Sequence, residues 1–319
     1  MFDRDFNVVV FGGGTGLSSI LRGLKKFPIN LTAVVTVSDD GGSSGLLREM
    51  FNMSPPGDIR RVLVSLSQDE ELFDDLFNYR FKDGFGDHTL GNIIIAALCE
   101  MNNGSMVKAI ERLSKVLNIK GHVLPVSTTP CRLKAIYEDD SFVIGEVNIP
   151  NPNKKIKRVE IVEKVNANPE VLKAIKEADA IIYSAGSLYT SLLPNLVFDD
   201  IKKELAKSKA YKIYIANIMT QKGETNGYLL SDHIKKIIDV IGKEQLDLVI
   251  ANDDLNIKKS LLKKYNDMGQ DLVYPDIDKL QEMGIRYETS RLIYERNGYL
   301  RHDANKVAAY IIKQIIDLM

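Results

Sequence analysis

The sequence predicts an α/β fold: a Rossmann-like, mainly parallel sheet with helices on both faces and a small antiparallel β insertion. Three observations predict it. The chain opens on an apolar strand that empties into a glycine loop and a helix. Strand and helix patterns then alternate early and again late. Five of the strand patterns end in loops of small, hydroxyl-bearing or amide-bearing residues. One domain spanning 1–319 is expected, with the insertion at 121–165.

The opening stretch is Val8-Val9-Val10-Phe11 followed by Gly12, Gly13, Gly14, Thr15 and Gly16. Four apolar residues, three of them β-branched, read as a buried strand, and the glycines permit a tight turn. Leu17, Ile20, Leu21 and Leu24 then recur at helical spacing. Such a loop aims backbone N–H groups and the positive end of a helix at one point, each dipole interaction contributing roughly 0.3–1 kcal/mol. A phosphate suits that point; a turn needed only for packing is the alternative. Leu17 stands where the third glycine of a dinucleotide fingerprint would fall, and no Gly-Lys-Ser or Gly-Lys-Thr follows, so an ATP-hydrolysing P-loop is not supported.

A second apolar run, Leu31 to Val37, completes a βαβ unit and ends in Ser38, Asp39, Asp40, Gly41, Gly42, Ser43, Ser44 and Gly45. Parallel strands deliver their carboxyl ends to one edge, so acid meets glycine there. A carboxylate at that place accepts ribose hydroxyls, and Asp39 with Asp40 could hold a Mg²⁺ bridging phosphate oxygens; a solvated acidic turn is the plain alternative. In Ser54-Pro55-Pro56-Gly57-Asp58, Asp58 is expected as an N-cap for a helix striped by Ile59, Val62, Leu63 and Leu66. Arg60 and Arg61 fall in its first turn, the wrong end of the dipole for a cation unless an anion is near; an ion pair around Glu49 or Asp58 would also satisfy them.

A helix over Asp74 to Arg80 leads through Gly84-Phe85-Gly86-Asp87-His88-Thr89 into Leu90-Gly91-Asn92 and a strongly apolar helix. There Leu90, Ile93, Ile94, Ala97, Leu98 and Met101 share one face and Ile95 and Ala96 fill the other, so the helix is expected to be buried on most sides. His88 reads as a capping or surface residue, Asn92 as the better ligand contact. From Gly121 the texture becomes alternating, as in antiparallel strands solvated on one side. The α/β rhythm returns with a helix at Pro169 to Glu177 and strands at Ala180 to Tyr183, Tyr211 to Ile215 and Leu248 to Ile250. The first two empty into Gly186, Ser187, Tyr189 and Thr190 and into Asn217-Ile218-Met219-Thr220-Gln221. Late in the chain, Tyr265 could stack on a base and Arg301 grip a phosphate, surface packing being the alternative for both.

Composition narrows the function. With 42 Lys and Arg against 43 Asp and Glu, no global field draws nucleic acid or an anionic membrane. The two cysteines, Cys99 and Cys131, form no metal or redox pair and fit a reducing cytosol. No apolar run reaches the ~20 residues of a membrane span and the charged start leaves no room for a signal peptide, so a cytoplasmic protein is expected.

Taken together, Gly12-Gly13-Gly14-Thr15-Gly16, Thr36 through Gly45, Pro55-Pro56-Gly57-Asp58-Ile59-Arg60, Thr89-Leu90-Gly91-Asn92, Gly186 through Ser191, and Asn217 through Gln221 resemble the bacterial gluconeogenesis-factor (YvcK) branch of the CofD-like superfamily. The resemblance runs over nearly the whole chain, from Asn7 to the Leu300-Arg301-His302 region. It implies a protein that binds a nucleotide sugar, UDP-N-acetylglucosamine above all, and acts in cell shape and growth on gluconeogenic carbon sources. It also implies the roles: glycine loops on the diphosphate, Asp39 and Asp40 on ribose or metal, Asn92 and Asn217 reading the ligand, Tyr265 and Arg301 closing over it. A ligand-binding regulator is expected ahead of a catalyst. The alternative is the superfamily's Mg²⁺-dependent transferase, which moves a phospholactyl group from a guanosine diphosphate donor onto a deazaflavin, with Asp39, Asp40 or Asp58 as the matching acids. A dehydrogenase with NAD in the same cleft ranks last. A homo-oligomer and unidentified protein partners are expected.

Overall fold

The computed structural model describes residues 5–80 and 87–317. The expected loop residues Gly84, Phe85 and Gly86 lie outside that set, as do the charged start Met1–Arg4 and the last two residues.

The opening pattern forms strand β1 (Phe6–Gly12), helix α1 (Gly14–Leu24) and strand β2 (Ile29–Val35), with β1 and β2 parallel. Val8 and Val10 face one side of the sheet and Val9 and Phe11 the other, and all four are buried. A strand apolar on both faces needs helices above and below, and the chain supplies both layers. On one side lie α1, α3 (Gly57–Leu66) and, from the far end of the sequence, the terminal helix Ala304–Asp317. Between β2 and α3 runs α2 (Gly42–Phe51), so Gly42 to Gly45, expected as loop, are the first helical turn. Outside α3 sit α4 (Glu70–Asn78), α5 (Leu90–Glu100) and α6 (Met106–Val116), the last two capped by Thr89 and Ser105.

The strand β3 (His122–Pro125), expected to open the insertion, is instead the parallel edge of the main sheet, paired with β2. Its alternation is that of an edge strand, which a four-residue run cannot distinguish from an antiparallel one. The antiparallel unit proper is β4 (Leu133–Tyr137), β5 (Phe142–Ile144) and β6 (Ile156–Ile161), in the order β5-β4-β6. On the second face of the sheet lie α7 (Pro169–Glu177), then after β7 (Ala180–Tyr183) the short α8 (Leu193–Leu196) and α9 (Asp199–Lys207), and after β8 (Tyr211–Ile215) the helix α10 (Leu230–Ile241). Strand β9 (Leu248–Asn252), helices α11 (Lys259–Asp267) and α12 (Ile277–Glu282), strand β10 (Tyr287–Ser290) and a hairpin of β11 (Ile293–Arg296) and β12 (Tyr299–His302) precede the terminal helix, α13.

The main sheet runs β10-β9-β8-β7-β1-β2-β3, all parallel. The chain winds outward one way from β1 to β3 and the other way from β7 to β10, so the order reverses between β1 and β7. Loops leaving those two strands diverge to opposite faces and open a crevice, the place where doubly wound sheets take ligands. A smaller apolar cluster of Ile218, Leu261, Tyr265, Leu272, Ile293 and Leu300 binds the β11–β12 hairpin to α11 beside that crevice.

Candidate functional site at the switch point

The crevice is a cleft of about 420 Å³, walled by Gly13 to Gly16 and Ser19 on one side and Ala185 to Ser187 and Ser191 on the other. Its floor and far side come from Asn217 to Gln221, Tyr265 and Tyr299 to His302. Of the residues expected to bind a ligand, Gly13, Gly14, Thr15, Gly16, Gly186, Ser187, Asn217, Tyr265 and Arg301 line this one space.

The glycines have separate reasons. Gly14 begins α1 at a φ of 60°, a left-handed conformation that side chains resist. Gly16 faces the β7 loop so closely that a Cβ would lie 2.0 Å from the Ala185 carbonyl oxygen. Gly12 belongs to the strand: its carbonyl accepts from Thr36 N at 3.3 Å and Asn195 Nδ2 at 3.1 Å, and a Cβ would strike the Ser184 hydroxyl. Thr15 and Gly16, in the first turn of α1, have no intrahelical acceptor for their N–H groups, which leaves these donors at the cleft.

Across the cleft, Asn217 clamps the β7 loop. Its Oδ1 accepts from Gly186 N at 3.2 Å and its Nδ2 donates to Gly186 O at 2.6 Å, holding Gly186 at a φ of 147°. Ser187 caps the wide helical turn Leu188–Leu192, accepting from Thr190 N, and donates its hydroxyl proton to Glu224. Thr190 sits behind it, bonded to Ser187 Oγ at 2.6 Å. Tyr189 points the other way into the core, its hydroxyl on Ile156 O and Tyr228, and does not face the cleft. Tyr265 presents a mostly buried ring whose hydroxyl accepts from Leu300 N at 2.8 Å, so it shapes the wall and supports the hairpin. Arg301 is exposed at the mouth, 5.2 Å from the Tyr299 ring centre, and pairs with no carboxylate among the described residues. His302 donates Nε2–H to Ala216 O at 3.1 Å; burial holds its imidazole down at about 4, so it is neutral at physiological pH.

The acidic loop forms an adjoining wall. Ser38 is buried, bonded to Thr36 Oγ1 at 2.9 Å. Asp39 accepts from Gly41 N at 2.9 Å, whereas Asp40 turns to the insertion and accepts from Val147 N at 3.0 Å. The two carboxylates therefore point apart and do not converge on one cation. Among the described residues, no group of three or more His, Cys, Asp or Glu side chains gathers closely enough to hold a metal ion. Asp39 neighbours Asp58 instead, and a Cβ on Gly57 would meet Ser44 Oγ at 2.5 Å and Asp39 Oδ2 at 3.1 Å.

Asp58 does not cap α3, whose N-cap is Pro56. It lies in the first turn and reaches across to accept the Gly14 N–H at the start of α1, while Arg61 Nη1 donates to it at 2.9 Å. Burial raises its carboxyl above the usual range, and Arg61 pulls in the opposite direction. Arg60 is buried and donates to the Thr89 hydroxyl; burial, with Arg61 and Arg80 nearby, lowers it to about 10. Asn92 donates to Ser43 Oγ at 2.9 Å, where His88 Nδ1 also bonds, and its buried Oδ1 has no partner. Arg60, Ser43 and Asn92 thus form a group at the entrances of α2 and α5, beside the Asp39 loop and outside the lining of the main cleft.

Two carboxylates escaped the sequence reading. Glu146, on a short turn after β5, is brought against the acidic wall by the Asp40–Val147 contact; burial first, then Asp39, pushes it up to about 7, with the nearby Thr190 hydroxyl pulling the other way. Glu224 is buried, raised by burial, and receives hydrogen bonds from Ser187, Thr190 and Gln221. The Gly223-Glu224-Thr225-Asn226-Gly227 loop advertised a turn after β8, but nothing in the local pattern of Glu146 connects the insertion to the cleft.

A doubly wound parallel sheet with an anion-compatible cleft at its order reversal defines the class: a Rossmann-like α/β protein. Comparison supplies the family. Residues 8–293 match the family model for 2-phospho-L-lactate transferase CofD. The chain is 45% identical over 311 residues to the gluconeogenesis factor of Halalkalibacterium halodurans, covering 96% of each. It is 43% identical over 308 residues to that of Bacillus subtilis strain 168, again covering 96% of each. A crystal structure of a UPF0052 family member from Bacillus halodurans superposes with a TM-score of 0.93 at 44% identity, covering 97% of this chain and 100% of that one. The chain belongs to the CofD-like family, in its gluconeogenesis-factor branch.

Proposed function

We propose that the protein is a nucleotide-sugar-binding regulator that takes UDP-N-acetylglucosamine across the switch-point cleft and serves cell shape and growth on gluconeogenic carbon sources. The observation that carries the diphosphate part is the convergence on one space of the unpaired α1 amides, the Gly186–Ser187 loop and Arg301, which has no carboxylate partner among the described residues. Backbone N–H groups and a guanidinium are the donors that phosphate oxygens prefer. The uridine and the N-acetyl sugar rest on the family resemblance. Bound ligand would span from the glycine loop towards the Asp39 loop, its ribose hydroxyls within the province of the carboxylates. No turnover is needed for this role. Titration calorimetry tests it: UDP-N-acetylglucosamine should release or absorb heat saturably, and silence while other nucleotides bind rejects the reading.

One observation favours a second reading, a Mg²⁺-dependent transferase acting on a nucleoside-diphosphate-linked donor. Asp39 and Asp58 lie beside each other next to the glycine loop, and two acids with substrate phosphates are a common way to hold Mg²⁺. Mass spectrometry of such a donor after incubation with protein, Mg²⁺ and a deazaflavin acceptor decides this point, since an unchanged donor counts against it.

A further inference from the structure

We propose that the entrances of α2 and α5, around the buried Arg60, form a second anion site, separate from the switch-point cleft, that takes hydrogen phosphate. Three arginines gather there. Arg61 pairs with Asp58 and Arg80 with Asp87. Arg60, only 5% exposed, has a neutral partner instead: it donates to the Thr89 hydroxyl, and no carboxylate pairs with it among the described residues. Asp58 and Asp74 favour its charge from a distance without bonding to it, and Asp58 is already taken by Arg61 and the Gly14 N–H. A guanidinium withdrawn from water is costly unless an anion meets it, and here the fold supplies none. The same anion accounts for an arginine in the first turn of α3, the unfavourable end of that helix's dipole.

The surroundings of Arg60 suit that anion and select it. Its side chain crosses the first turn of α5, where a Cβ on Gly91 would lie 2.7 Å from its Cδ and where Thr89 is the cap. Helix α2 begins alongside: Ser43, in its first turn, accepts from Asn92 Nδ2 at 2.9 Å and bonds His88 Nδ1 at 2.9 Å. Two helix N-termini therefore meet beside the guanidinium, each with first-turn amides that lack an intrahelical acceptor. Asn92 is the second, independent pointer. It is 3% exposed, its amide lies between the two entrances, and its buried Oδ1 has no donor. An oxyanion without a hydrogen would set oxygen against that oxygen. Hydrogen phosphate offers oxygens to Arg60 and the helix amides and an O–H to Asn92 Oδ1. Ser43 and His88, both half-buried, form the way in from solvent.

Calorimetry of the full chain with inorganic phosphate and with sulfate, titrated separately at neutral pH, tests the site. Sulfate carries no proton there and leaves Asn92 Oδ1 unmet, so phosphate should bind roughly 10-fold tighter or better. Arg60→Met should abolish that preference, and because it removes an unpaired buried charge its urea midpoint should match or exceed the wild type's. Asn92→Ala keeps the guanidinium and should bind the two anions alike, which tests the site even where Arg60→Met fails to fold. Arg301→Ala, at the mouth of the cleft, should keep the preference. Equal affinity of the wild type for both anions overturns the proposal. So does a preference that survives Arg60→Met or Asn92→Ala, or one lost in Arg301→Ala, which would assign it to the cleft. Arg60 and Asn92 lie outside the lining of the cleft, so any of these failures leaves the nucleotide-sugar reading standing.

Discussion

Gly16 is the position where one methyl group would do most damage. The added Cβ would lie 2.0 Å from a backbone oxygen of the β7 loop, which has no flexible side chain to yield, so the two cleft walls must part. Gly16→Ala should cost several kcal/mol, on the order of ~2–4 by analogy with overpacked cores, and lower ligand affinity; chemical denaturation and calorimetry measure the two effects. Arg301→Ala isolates the other pole of the site. The exposed side chain contributes little to folding, so stability should change by less than ~0.5 kcal/mol. Affinity for a diphosphate ligand should fall roughly 10-fold or more, as for the loss of a charge-assisted hydrogen bond. Glu146 gives a pH signature. Its folded value, about 7, lies above its ordinary 4.5, so the folded state holds the proton more tightly and stability falls as pH rises between those values, with the full cost present above about 7. Glu146→Gln removes that cost with a polar side chain of the same size. Its melting temperature should match the wild type below about pH 4.5 and exceed it increasingly towards pH 8. The glycine loop was legible in the sequence because its requirement is a backbone one. Glu146 was not, because its setting is made by a contact between residues far apart in the chain.

At the scale of elements, the instructive case is α5. Its sequence is apolar on two sides, which predicts burial on most sides, yet the face of Leu90, Ile93, Ile94, Ala97, Leu98 and Met101 is left half-buried or exposed. The structure fully buries one side only, that of Gly91, Asn92, Ile95, Ala96 and Cys99. Small residues decide this, since a Cβ on Gly91 would lie 2.7 Å from Arg60 Cδ and 2.6 Å from the Phe77 ring, an approach the bulkier face cannot make. Asn92 is buried because Ser43 receives its amide, a partner that no pattern within α5 reveals. Asp58 illustrates the same limit, since a residue of capping type does cap a helix end, but that of α1. Asp58→Asn keeps an acceptor for the Gly14 N–H and removes a negative charge from the place where an anion would bind. In metal-free buffer the variant should bind a nucleoside diphosphate more tightly than the wild type by calorimetry. A loss of affinity restored by nothing but wild-type Asp58 with Mg²⁺ would speak for a cation bridge.

For the molecule as a whole, the alternation of strands and helices and the polar strand ends made the α/β class and the location of the cleft legible, because both follow from period and from the common direction of parallel strands. The extent of the insertion was less so, since His122–Pro125 is too short for its pairing partner to be read from alternation. Nor does the late sequence carry a pattern that marks Tyr299–His302 as a strand. That hairpin rests on a cluster of six buried apolar residues, far fewer than cover either face of the main sheet. Hydrogen exchange should therefore show β11, β12 and α11 opening before the main sheet, with protection rising when the cleft is filled, because Tyr265, Tyr299 and Arg301 line it.

The pairing of β1 with β7 places Val8 opposite Ala180 and Phe11 opposite Tyr183. During synthesis the glycine loop is thus finished long before its opposite wall exists, and it has to wait for the central strand of the second half. A nascent chain ending before β7 carries the glycine turn without a pocket, and closing so distant a pair is slow. A ligand of the kind proposed for this cleft would consequently be captured late in the life of each molecule, after both halves of the sheet have met.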